Sequence, residues 1–479
     1  MLVDFSFANH KSFRDPQQFS MARANLEDDS REDKPFEADE SEQWEINTVT
    51  AVYGGNASGK STFLDALTFV PKLLDRSLDL RRKNTGTRRT PFLLDKKSVL
   101  EPSDYLYVFI AQDGEKYLYE VSVDDDAIQY ESLRRYTTGN RTIKLFEREQ
   151  LENGEQDISY GRSFTGKKQG LKSQLREDRL FLGIAGSNGA TSIMAAYEEM
   201  LSMRLYLTSG FSDDLQAIAR RLQARPDRAK ALSLLLANSG LGIKAVKADT
   251  EYREIFEHFL KHPDDEQSQR YRNIFRGLSY ITMPDLDEDE RDADVDKMVR
   301  LLFDSGYNPL LFLHVGEDGA EVYLSEEDES RGTQAALAFL LLALDRLSRP
   351  SVTLVDEIDT SLHPSYVEQL IGLFSNPRTN PHQSQLIFTT HDISLITRSG
   401  ADDRPLTRDQ IWIASKQADG TSTLYPITSI KGVRKDENFG RNYLNGVYGG
   451  LPSPLLAESF TMALEFISQF ETGANDGKR

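Results

Sequence analysis

Residues 54–61, Gly-Gly-Asn-Ala-Ser-Gly-Lys-Ser, form a complete phosphate-binding loop, and no other feature restricts the fold of this chain as strongly. The loop follows a β-branched run at 49–53 and opens into a segment with helical spacing at 62–67. This strand–loop–helix order is the context in which the motif binds phosphate. The sequence therefore predicts an α/β core in which a buried strand leads into the loop.

The phosphate loop carries most of the residues that we expect to bind nucleotide. Its glycines allow consecutive backbone N–H groups to point inward, and the following helix adds the positive end of its dipole. Lys60 supplies a mobile positive charge for the β- and γ-phosphates. Ser61 has a hydroxyl at the position that ligates Mg²⁺, a cation that prefers oxygen ligands. The predicted nucleotide-binding residues in and beside the loop are Gly54, Gly55, Asn56, Ala57, Ser58, Gly59, Lys60, Ser61 and Thr62.

An acidic pair, Asp356 and Glu357, ends a second apolar run at 352–355. We expect this run to be a neighbouring strand, so that Asp356 holds the same Mg²⁺ as Ser61. Glu357 is then placed to orient or deprotonate a water molecule in line with the γ-phosphate. Together with the phosphate loop, the acidic pair predicts an enzyme that binds ATP and Mg²⁺ and hydrolyses ATP to ADP and phosphate.

The signature segment, Glu-Ser-Arg-Gly-Thr-Gln at 329–334, precedes a strongly apolar helix predicted at 335–347. Its Ser330, Gly332 and Thr333 lie at the helix N-terminus, where hydroxyl and backbone donors can receive a phosphate. Alone, such a segment is more typical of an ordinary helix cap. Its position between the phosphate loop and the acidic pair favours the phosphate contact.

His391 follows a further buried strand, predicted at 385–390. An imidazole at that strand end can hydrogen-bond a γ-phosphate oxygen and respond to its loss. A lone histidine is more often an ordinary core residue, but its neighbours and position favour the switch role here. We therefore predict Lys60, Glu357 and His391 as the catalytic residues.

The order of phosphate loop, Ser-x-Gly-Thr, Asp-Glu and His resembles the ATP-binding-cassette class of ATPase heads, which includes SMC-type and RecF-type proteins. The resemblance implies an α/β P-loop head with a mixed central sheet, flanking helices and an antiparallel β subdomain, plus an inserted compact helical domain. It also implies that two heads enclose two ATP molecules. Ser330, Gly332 and Thr333 then face the partner's phosphate loop, and Ser361 lies in the D-loop (residues 360–363).

Composition indicates a protein of the reducing cytoplasm. The 479 residues include no cysteine, which excludes disulfides and thiolate metal sites. The first residues lack the basic and apolar regions of a signal peptide, and the longest apolar run, at 335–344, is too short to cross a bilayer. The net charge of −19 argues against a surface that coats duplex DNA. Local basic clusters at 81–83, 134–135 and 167–168 are more typical of solvated faces.

Periodicity divides the chain into three predicted regions. Residues 1–165 form the first half of the head, with a hairpin of strands 105–110 and 116–123 in an antiparallel sheet that continues over 130–146. Residues 166–304 form a helical insertion, and residues 305–479 form the second half of the head. The helices predicted in the insertion lie at 193–207, 213–222, 227–237 and 252–260. No heptad run is long enough for an SMC-like arm, and the acidic segment 285–296 is predicted to be a solvated loop rather than a calcium site.

Four stretches, at 46–67, 329–364, 385–393 and 408–452, resemble the bacterial AAA-type ATPases of the abortive-infection (AbiLi or RloA) group. That group is related to the ATPase part of OLD-family nucleases. The resemblance implies a phage-defence ATPase that controls a separately encoded effector, such as a nuclease or toxin. The residues after His391 contain no Asp-x-Asp, so we expect an ATPase without a nuclease site of the OLD type in this sequence. Gln112 and Gln129 are both open candidates for the Q-loop glutamine, and Arg331 departs from the acidic or small residue of many relatives.

Three alternatives share the nucleotide motifs. A RecF- or SMC-like repair or recombination ATPase is expected to be stimulated by DNA, against which the acidic charge weighs. A transporter subunit is disfavoured by the helical insertion and by the poor match to Leu-Ser-Gly-Gly-Gln. A scaffold that binds ATP without turnover also stays open, because Glu357 shows only that hydrolysis is chemically feasible.

Overall fold

The computed structural model describes residues 1–24, 45–78, 86–151, 153–166, 168–207, 225–248, 251–262, 265, 268–269, 310–325, 328–397, 404–434, 437–451 and 456–476. The helix predicted at 213–222, the acidic segment 285–296 and the basic cluster 81–83 lie outside these residues.

The described strands are β1 (Leu2–Ala8), β2 (Gln17–Ser20), β3 (Val49–Tyr53), β4 (Ser103–Ile110), β5 (Lys116–Val123), β6 (Ile128–Thr137), β7 (Arg141–Gln150), β8 (Gln156–Tyr160), β9 (Arg204–Leu207), β10 (Ala245–Ala248), β11 (Leu310–Val315), β12 (Glu321–Ser325), β13 (Val352–Asp356), β14 (Gln385–Thr389), β15 (Ile411–Lys416) and β16 (Ser422–Pro426).

The described α-helices are α1 (Lys60–Ser77), α2 (Lys96–Leu100), α3 (Leu171–Gln174), α4 (Phe181–Ser187), α5 (Met194–Ser202), α6 (Pro226–Ala237), α7 (Glu251–Lys261), α8 (Arg331–Leu347), α9 (Pro364–Ser375), α10 (Phe439–Leu444) and α11 (Leu456–Asp476). Short 3₁₀ turns lie at Thr191–Ile193, Ile393–Ile396, Arg408–Gln410 and Ile427–Ser429.

The central sheet is mixed and has the strand order β16-β15-β3-β14-β13-β9. β15, β3, β14, β13 and β9 run parallel, and β16 is antiparallel to β15. The carboxyl ends of parallel strands meet at one edge, which is where open α/β sheets bind ligands. The strand before the phosphate loop, the strand that carries the acidic pair and the strand before His391 are therefore adjacent and end together.

The two faces of this sheet belong to different hydrophobic cores. In β13, Leu354 packs into the core shared with α1 and the antiparallel sheet, while Val355 packs into the core shared with α8 and α9. Ile387 and Phe388 of β14 divide in the same way. This alternation follows from the two-residue side-chain period of a strand, and burial of both faces explains why these strands are almost wholly apolar.

A second, antiparallel sheet has the order β2-β1-β4-β5-β6-β7-β8. The hairpin of β4 and β5 turns at Gly114, whose φ of 79° requires the left-handed conformation that glycine adopts without strain. Tyr107 fixes this sheet to α1 by donating a hydrogen bond from its hydroxyl to the Leu67 carbonyl oxygen at 2.9 Å. The predicted antiparallel sheet is confirmed, and it extends beyond the predicted strands as far as β8.

The helix prediction for 193–207 is wrong from residue 203 onward. The helix α5 ends at Ser202, and Arg204–Leu207 is the strand β9, which pairs in parallel with β13. Leu205 lies opposite Leu354, and Leu207 lies opposite Asp356. The open edge of β13 therefore decides the conformation of β9, because tertiary pairing overrides a local helical spacing. The helices predicted at 227–237 and 252–260 are confirmed as α6 and α7.

The structure is therefore a mixed α/β fold with a parallel-dominated central sheet, flanking helices and an antiparallel β subdomain, as predicted. A third, small sheet of β10, β11 and β12 lies under α6. β9 and β10 fall within the region 166–304 that was assigned to helices, and β9 belongs to the central sheet. No helix in the described ranges is long and apolar enough to span a membrane.

Candidate nucleotide-binding site

The phosphate loop connects β3 to α1 and is shaped by glycine. Gly59 immediately precedes the helix with φ of 114°, and a Cβ atom there would lie 2.8 Å from the Ser422 side-chain oxygen. A side chain at this position therefore meets both a strained backbone and β16. Ala57 also has a positive φ, of 61°. The loop is held in a curved form in which the α1 N-terminus opens toward the carboxyl edge of the sheet.

Lys60 is folded back onto the loop. Its side chain is 6% exposed, and its Nζ donates hydrogen bonds to the carbonyl oxygens of Gly54 at 2.9 Å and Gly55 at 3.2 Å. It also donates to His391 Nε2 at 2.9 Å. Burial lowers the pKa of Lys60, while the nearby carboxylates of Glu357 and Asp356 oppose that shift. The lysine, the acidic pair and the histidine are therefore brought to one place, although they come from three separate strand ends.

Thr389, a residue that the sequence did not single out, organises the acidic pair. Its hydroxyl donates to Asp356 Oδ1 at 2.6 Å and accepts from the Glu357 backbone N–H at 2.7 Å. Glu357 has φ of 53°, a conformation that is strained for a residue with a side chain. The hydroxyl of the neighbouring strand thus fixes both the orientation of the carboxylate and the turn that follows it. The only sequence signal is a pair of threonines at the end of an otherwise apolar strand.

Thr389→Val is expected to lower the turnover of ATP about tenfold to a hundredfold, the usual cost of removing a partner that orients a metal ligand. The change keeps the shape of the side chain but leaves Asp356 and the Glu357 backbone without this hydroxyl. The measurement is kcat together with the Mg²⁺ concentration that gives half-maximal activity.

Thr353→Val is the matched control for Thr389→Val. The Thr353 hydroxyl is buried in β13 and has no hydrogen-bond partner among the described residues, so its loss should leave activity unchanged. Equal activity of the two variants would contradict the positioning role of Thr389.

His391 lies two residues after the end of β14 and is held in place through its backbone. Its N–H donates to both side-chain oxygens of Asp359 at 3.4 Å, and its Nε2 faces Lys60. Burial, followed by the charge of Lys60, lowers the pKa of His391, with nearby carboxylates opposing the shift. The imidazole is therefore neutral near pH 7 and accepts a hydrogen bond from Lys60.

The titration of His391 should have its midpoint below the ordinary value of 6.5 in the nucleotide-free protein. Lys60→Met should raise that midpoint, because it removes a positive charge that disfavours the imidazolium. The measurement is the pH dependence of the His391 ring resonances by NMR. A midpoint at or above 6.5 in the natural chain would contradict this geometry.

The signature segment forms a cap on α8. The Ser330 hydroxyl accepts the Thr333 backbone N–H at 3.1 Å and lies 2.9 Å from the Thr333 hydroxyl oxygen. Gly332 lies against the D-loop of the same chain, since a Cβ atom there would be 2.9 Å from the Ser361 carbonyl oxygen. Ser361 itself has φ of 66°. The signature segment and the D-loop therefore make one surface.

Within one chain, the signature segment is not part of the phosphate site. In the part of the chain that the structure describes, no hydrogen bond joins Ser330 or Thr333 to the phosphate loop. Both residues belong to the surface of the head, with Ser330 exposed. Whether they contact nucleotide depends on a second copy and stays a prediction.

A second support that sequence reasoning missed is the glycine loop, residues 446–451. The Gly450 carbonyl oxygen accepts the Gly55 N–H at 2.5 Å. Gly450 has φ of 74°, and a Cβ atom there would lie 2.7 Å from the Ile413 side chain. The Tyr425 hydroxyl donates to the Tyr448 carbonyl oxygen at 2.8 Å. The glycine loop therefore packs against the start of the phosphate loop, a contact between residues far apart in sequence.

The two candidate Q-loop glutamines lie elsewhere. Gln129 is in the antiparallel sheet, where its Nε2 donates to Gln150 Oε1 at 2.7 Å. Gln112 lies in the turn between β4 and β5. Neither has a hydrogen bond to the phosphate loop among the described contacts. By contrast, β9 ends at Leu207 beside Asp356, at the same edge as the acidic pair.

The oxygen donors at this edge suit Mg²⁺ shared with a nucleotide. Ser61 is the second residue of α1, after Lys60, and Asp356 ends β13 with one carboxylate oxygen hydrogen-bonded by Thr389. The described residues hold no cluster of three or more metal-ligating side chains that would form a protein-only metal cage. Mg²⁺ usually takes one or two protein oxygens and completes its shell with phosphates and water. Ser61 and Asp356 fit that pattern.

A family model with the description "AAA domain, putative AbiEii toxin, Type IV TA system" matches residues 49–397. The match includes the phosphate loop, the signature segment, the acidic pair and His391. No curated protein sequence is a match to the chain.

Among solved structures with some similarity is the Smc head domain from Pyrococcus furiosus. The alignment covers 88% of this chain and 95% of the Smc chain, with 14% identity and a TM-score of 0.34. The recombination mediator protein RecF aligns over 88% of this chain and 98% of its own, at 12% identity and a TM-score of 0.26. UvrA2 from Deinococcus radiodurans aligns over 40% of this chain and 20% of its own, at 18% identity and a TM-score of 0.18.

Proposed function

The chain belongs to the family of AAA domains described as putative AbiEii toxins of type IV toxin–antitoxin systems, and from this premise we propose that it binds ATP with Mg²⁺ and hydrolyses it to control a separate effector. The observation that carries the ATPase assignment is the convergence of three strand ends. Lys60, the acidic pair held by Thr389, and His391 meet at the carboxyl edge of the central sheet.

Each residue has a defined task in this proposal. Lys60 leaves the carbonyl oxygens of Gly54 and Gly55 and turns to the β- and γ-phosphates, which are stronger acceptors for an ammonium group. Ser61 and Asp356 hold Mg²⁺, which neutralises charge on the phosphate oxygens when it is bound. Glu357 orients and deprotonates the attacking water, and His391 donates a hydrogen bond to the γ-phosphate. The backbone N–H groups of residues 54–62 surround the remaining phosphate oxygens.

The composite surface of signature segment and D-loop supports association of two copies. This surface is shared by Ser330, Gly332, Thr333 and Ser361, and among the described residues no hydrogen bond joins them to the chain's own phosphate loop. We propose that each surface closes over the phosphate loop of a second copy, so that hydroxyl and backbone donors at the α8 N-terminus reach the γ-phosphate. ATP then joins the copies, and its hydrolysis separates them.

We propose that residues 1–165 and 305–479 form the two halves of the head and that most of 166–304 is an insertion. The central sheet includes β9 from within that range, so we assign residues 204–207 to the head rather than to the insertion.

The defence role is the finer part of the proposal. The family description refers to toxin–antitoxin systems, and the sequence resembles the abortive-infection group AbiLi or RloA. We propose that the nucleotide cycle of the chain holds an effector inactive or releases it during phage infection. The effector, a nuclease or toxin, is supplied by another gene.

Two experiments test the proposed function. Purified protein should hydrolyse ATP in the presence of Mg²⁺, and Lys60→Ala should abolish this activity. Cells that express the chain with its neighbouring gene should resist phage infection, and the same cells with Lys60→Ala should not. Absence of turnover would contradict the ATPase assignment. Strong stimulation by duplex DNA with a steep salt dependence, without any effect on infection, would favour a repair ATPase instead.

A further inference from the structure

One peptide unit of the phosphate loop is held at both of its polar groups. The carbonyl oxygen of the Gly54–Gly55 peptide belongs to Gly54 and accepts a hydrogen bond from Lys60 Nζ at 2.9 Å. The N–H of the same peptide belongs to Gly55 and donates to the Gly450 carbonyl oxygen at 2.5 Å. Because a peptide unit is planar, fixing its N–H also fixes the direction of its carbonyl oxygen. The glycine loop therefore sets one of the acceptors that hold Lys60.

The glycine loop approaches this peptide too closely for side chains. A Cβ atom at Gly450 would lie 3.1 Å from the Ala414 carbonyl oxygen and 3.7 Å from the Gly54 Cα atom. A Cβ atom at Gly54 would lie 2.5 Å from the same Ala414 oxygen. Backbone segments from the phosphate loop, β15 and the glycine loop thus meet at a point that only glycines can occupy. The contact leaves little room for the peptide to rotate.

The glycine loop and α10 form one unit, residues 437–451, which we call the C-terminal clamp. The Asn442 side-chain amide of α10 donates to the Tyr448 hydroxyl at 3.0 Å and to Glu437 Oε2 at 3.0 Å. The Tyr448 hydroxyl in turn donates to Glu437 Oε2 at 2.8 Å. The Tyr425 hydroxyl of β16 donates to the Tyr448 carbonyl oxygen at 2.8 Å. The glycine loop is therefore fixed both to α10 and to β16.

The C-terminal clamp also packs on the turn that follows His391. The helix α10 lies against the 3₁₀ turn Ile393–Ile396. A Cβ atom at Gly440 of α10 would lie 3.2 Å from the Ile393 carbonyl oxygen, so the two backbones are close together. The hydrogen bond between Lys60 and His391 thus joins two segments that the same clamp contacts.

We propose that the C-terminal clamp is a positioning element of the nucleotide site. It holds the Gly54–Gly55 peptide unit in the orientation that keeps Lys60 beside His391, from which the lysine turns to the β- and γ-phosphates. The ammonium group is thus in place before nucleotide arrives, which limits the reorganisation that binding requires. The effect on turnover rests on the proposed function. The effect on the pair of Lys60 and His391 belongs to the nucleotide-free chain and is measured without ATP.

Gly450→Ala tests the positioning role. Alanine disfavours the φ of 74° at this position, and its Cβ atom would lie 2.7 Å from the Ile413 side chain, so the carbonyl group of residue 450 is displaced. Turnover of ATP should fall about a hundredfold, the loss typical of a shift of about 1 Å near a reacting group. Gly432→Ala is the control, because Gly432 has φ of 88° and a Cβ atom there meets no described atom within 4 Å. It adds similar backbone strain without the collision and should keep the natural turnover.

The titration of His391, followed by NMR, is a readout that a loss of stability alone would not move. Burial, followed by the charge of Lys60, lowers the pKa of His391. The carboxylates that oppose this shift belong to Asp359, Glu357 and Asp356. In the nucleotide-free protein, Gly450→Ala should raise the His391 midpoint toward its ordinary value, as Lys60→Met does, because Lys60 moves away from the imidazole. Gly432→Ala should leave the midpoint unchanged.

Tyr425→Phe tests the clamp without a collision and provides the answer if Gly450→Ala does not fold. It removes the hydroxyl that holds the Tyr448 carbonyl oxygen. The His391 midpoint should rise, and turnover should fall about threefold to tenfold, the equivalent of one hydrogen bond. Tyr117→Phe is the control, because it removes a comparable hydroxyl contact within the hairpin of β4 and β5. It should change neither quantity.

Circular dichroism identifies the variants that are folded and therefore comparable. An unchanged His391 midpoint in the folded clamp variants, or equal shifts in these variants and their controls, would overturn the inference. A fall in turnover without a rise in the midpoint would also overturn it, because the loss would not act through Lys60. If the clamp variants raise the midpoint while the natural chain does not hydrolyse ATP, the positioning role stands and only the proposed function is contradicted.

Discussion

Glu357→Gln should bind ATP as the natural chain does but hydrolyse it about a hundredfold to ten-thousandfold more slowly, the contribution typical of a general base. The amide keeps the size of the carboxylate and leaves Lys60 and Asp356 in place, so the affinity for nucleotide is preserved. Only the proton acceptor for the attacking water is lost. Single-turnover hydrolysis and equilibrium binding of a fluorescent ATP analogue measure the two effects separately.

Glu368→Gln is the control for the Glu357 variant, because it makes the same change at an exposed position of α9. It should have the turnover of the natural chain. Normal hydrolysis by Glu357→Gln would show that the catalytic assignment is wrong. Loss of ATP binding would show that Glu357 contributes to binding ATP rather than to the hydrolysis step.

Glu131→Ala should lower the free energy of unfolding by about 3–5 kcal/mol, the cost of leaving a buried charge without its partner. Glu131 and Arg148 are both 0% exposed and form an ion pair at 3.3 Å. The same carboxylate accepts the backbone N–H groups of Phe181 at 2.6 Å and Leu182 at 2.8 Å, at the start of α4. The Glu131–Arg148 ion pair therefore connects the antiparallel sheet to α4, one of the helices that pack on α1. Urea denaturation followed by circular dichroism measures the loss.

Glu147→Ala is the control on the same sheet. Glu147 forms an ion pair with Arg134 at 2.9 Å, but both side chains are partly exposed. Glu147→Ala should lower the free energy of unfolding by no more than about 1 kcal/mol, because solvent screens such ion pairs. The double variant Glu131→Leu with Arg148→Met should recover much of the lost stability, since buried ion pairs are often replaceable by apolar residues. Equal losses for Glu131→Ala and Glu147→Ala would contradict this account of the buried pair.

The residues proposed to bind and hydrolyse ATP could be located in the sequence because their chemistry demands local patterns. A phosphate loop needs its glycines, its lysine and its strand and helix in one continuous stretch, and residues 54–61 satisfy all of these conditions. The apolar runs before Asp356 and His391 are almost wholly buried, and both are strands of the central sheet as expected. Sequence reasoning therefore identified the elements and their order.

The residues that position the reacting groups could not be predicted in this way. The role of Thr389 depends on the parallel register of β13 and β14, which brings its hydroxyl to both Asp356 and Glu357. The contact of Gly450 with Gly55 joins segments from opposite halves of the chain. β9 was mistaken for a helix because its pairing with β13 is decided by the sheet and not by its own four residues. In each case the missing information is a long-range pairing.

The most direct test of the account is a mixing experiment between two inactive variants. Lys60→Ala disables the phosphate loop, and Ser330→Arg blocks the signature segment, so each variant alone should lack ATPase activity. If the site is built from two copies, a mixed pair contains one intact site, formed by the loop of one chain and the signature segment of the other. The mixture should then recover about one quarter of the natural activity, because half of the randomly formed pairs are mixed and each has one intact site of two. A mixture that stays inactive, while both variants associate normally, would contradict the claim that nucleotide is enclosed between two copies.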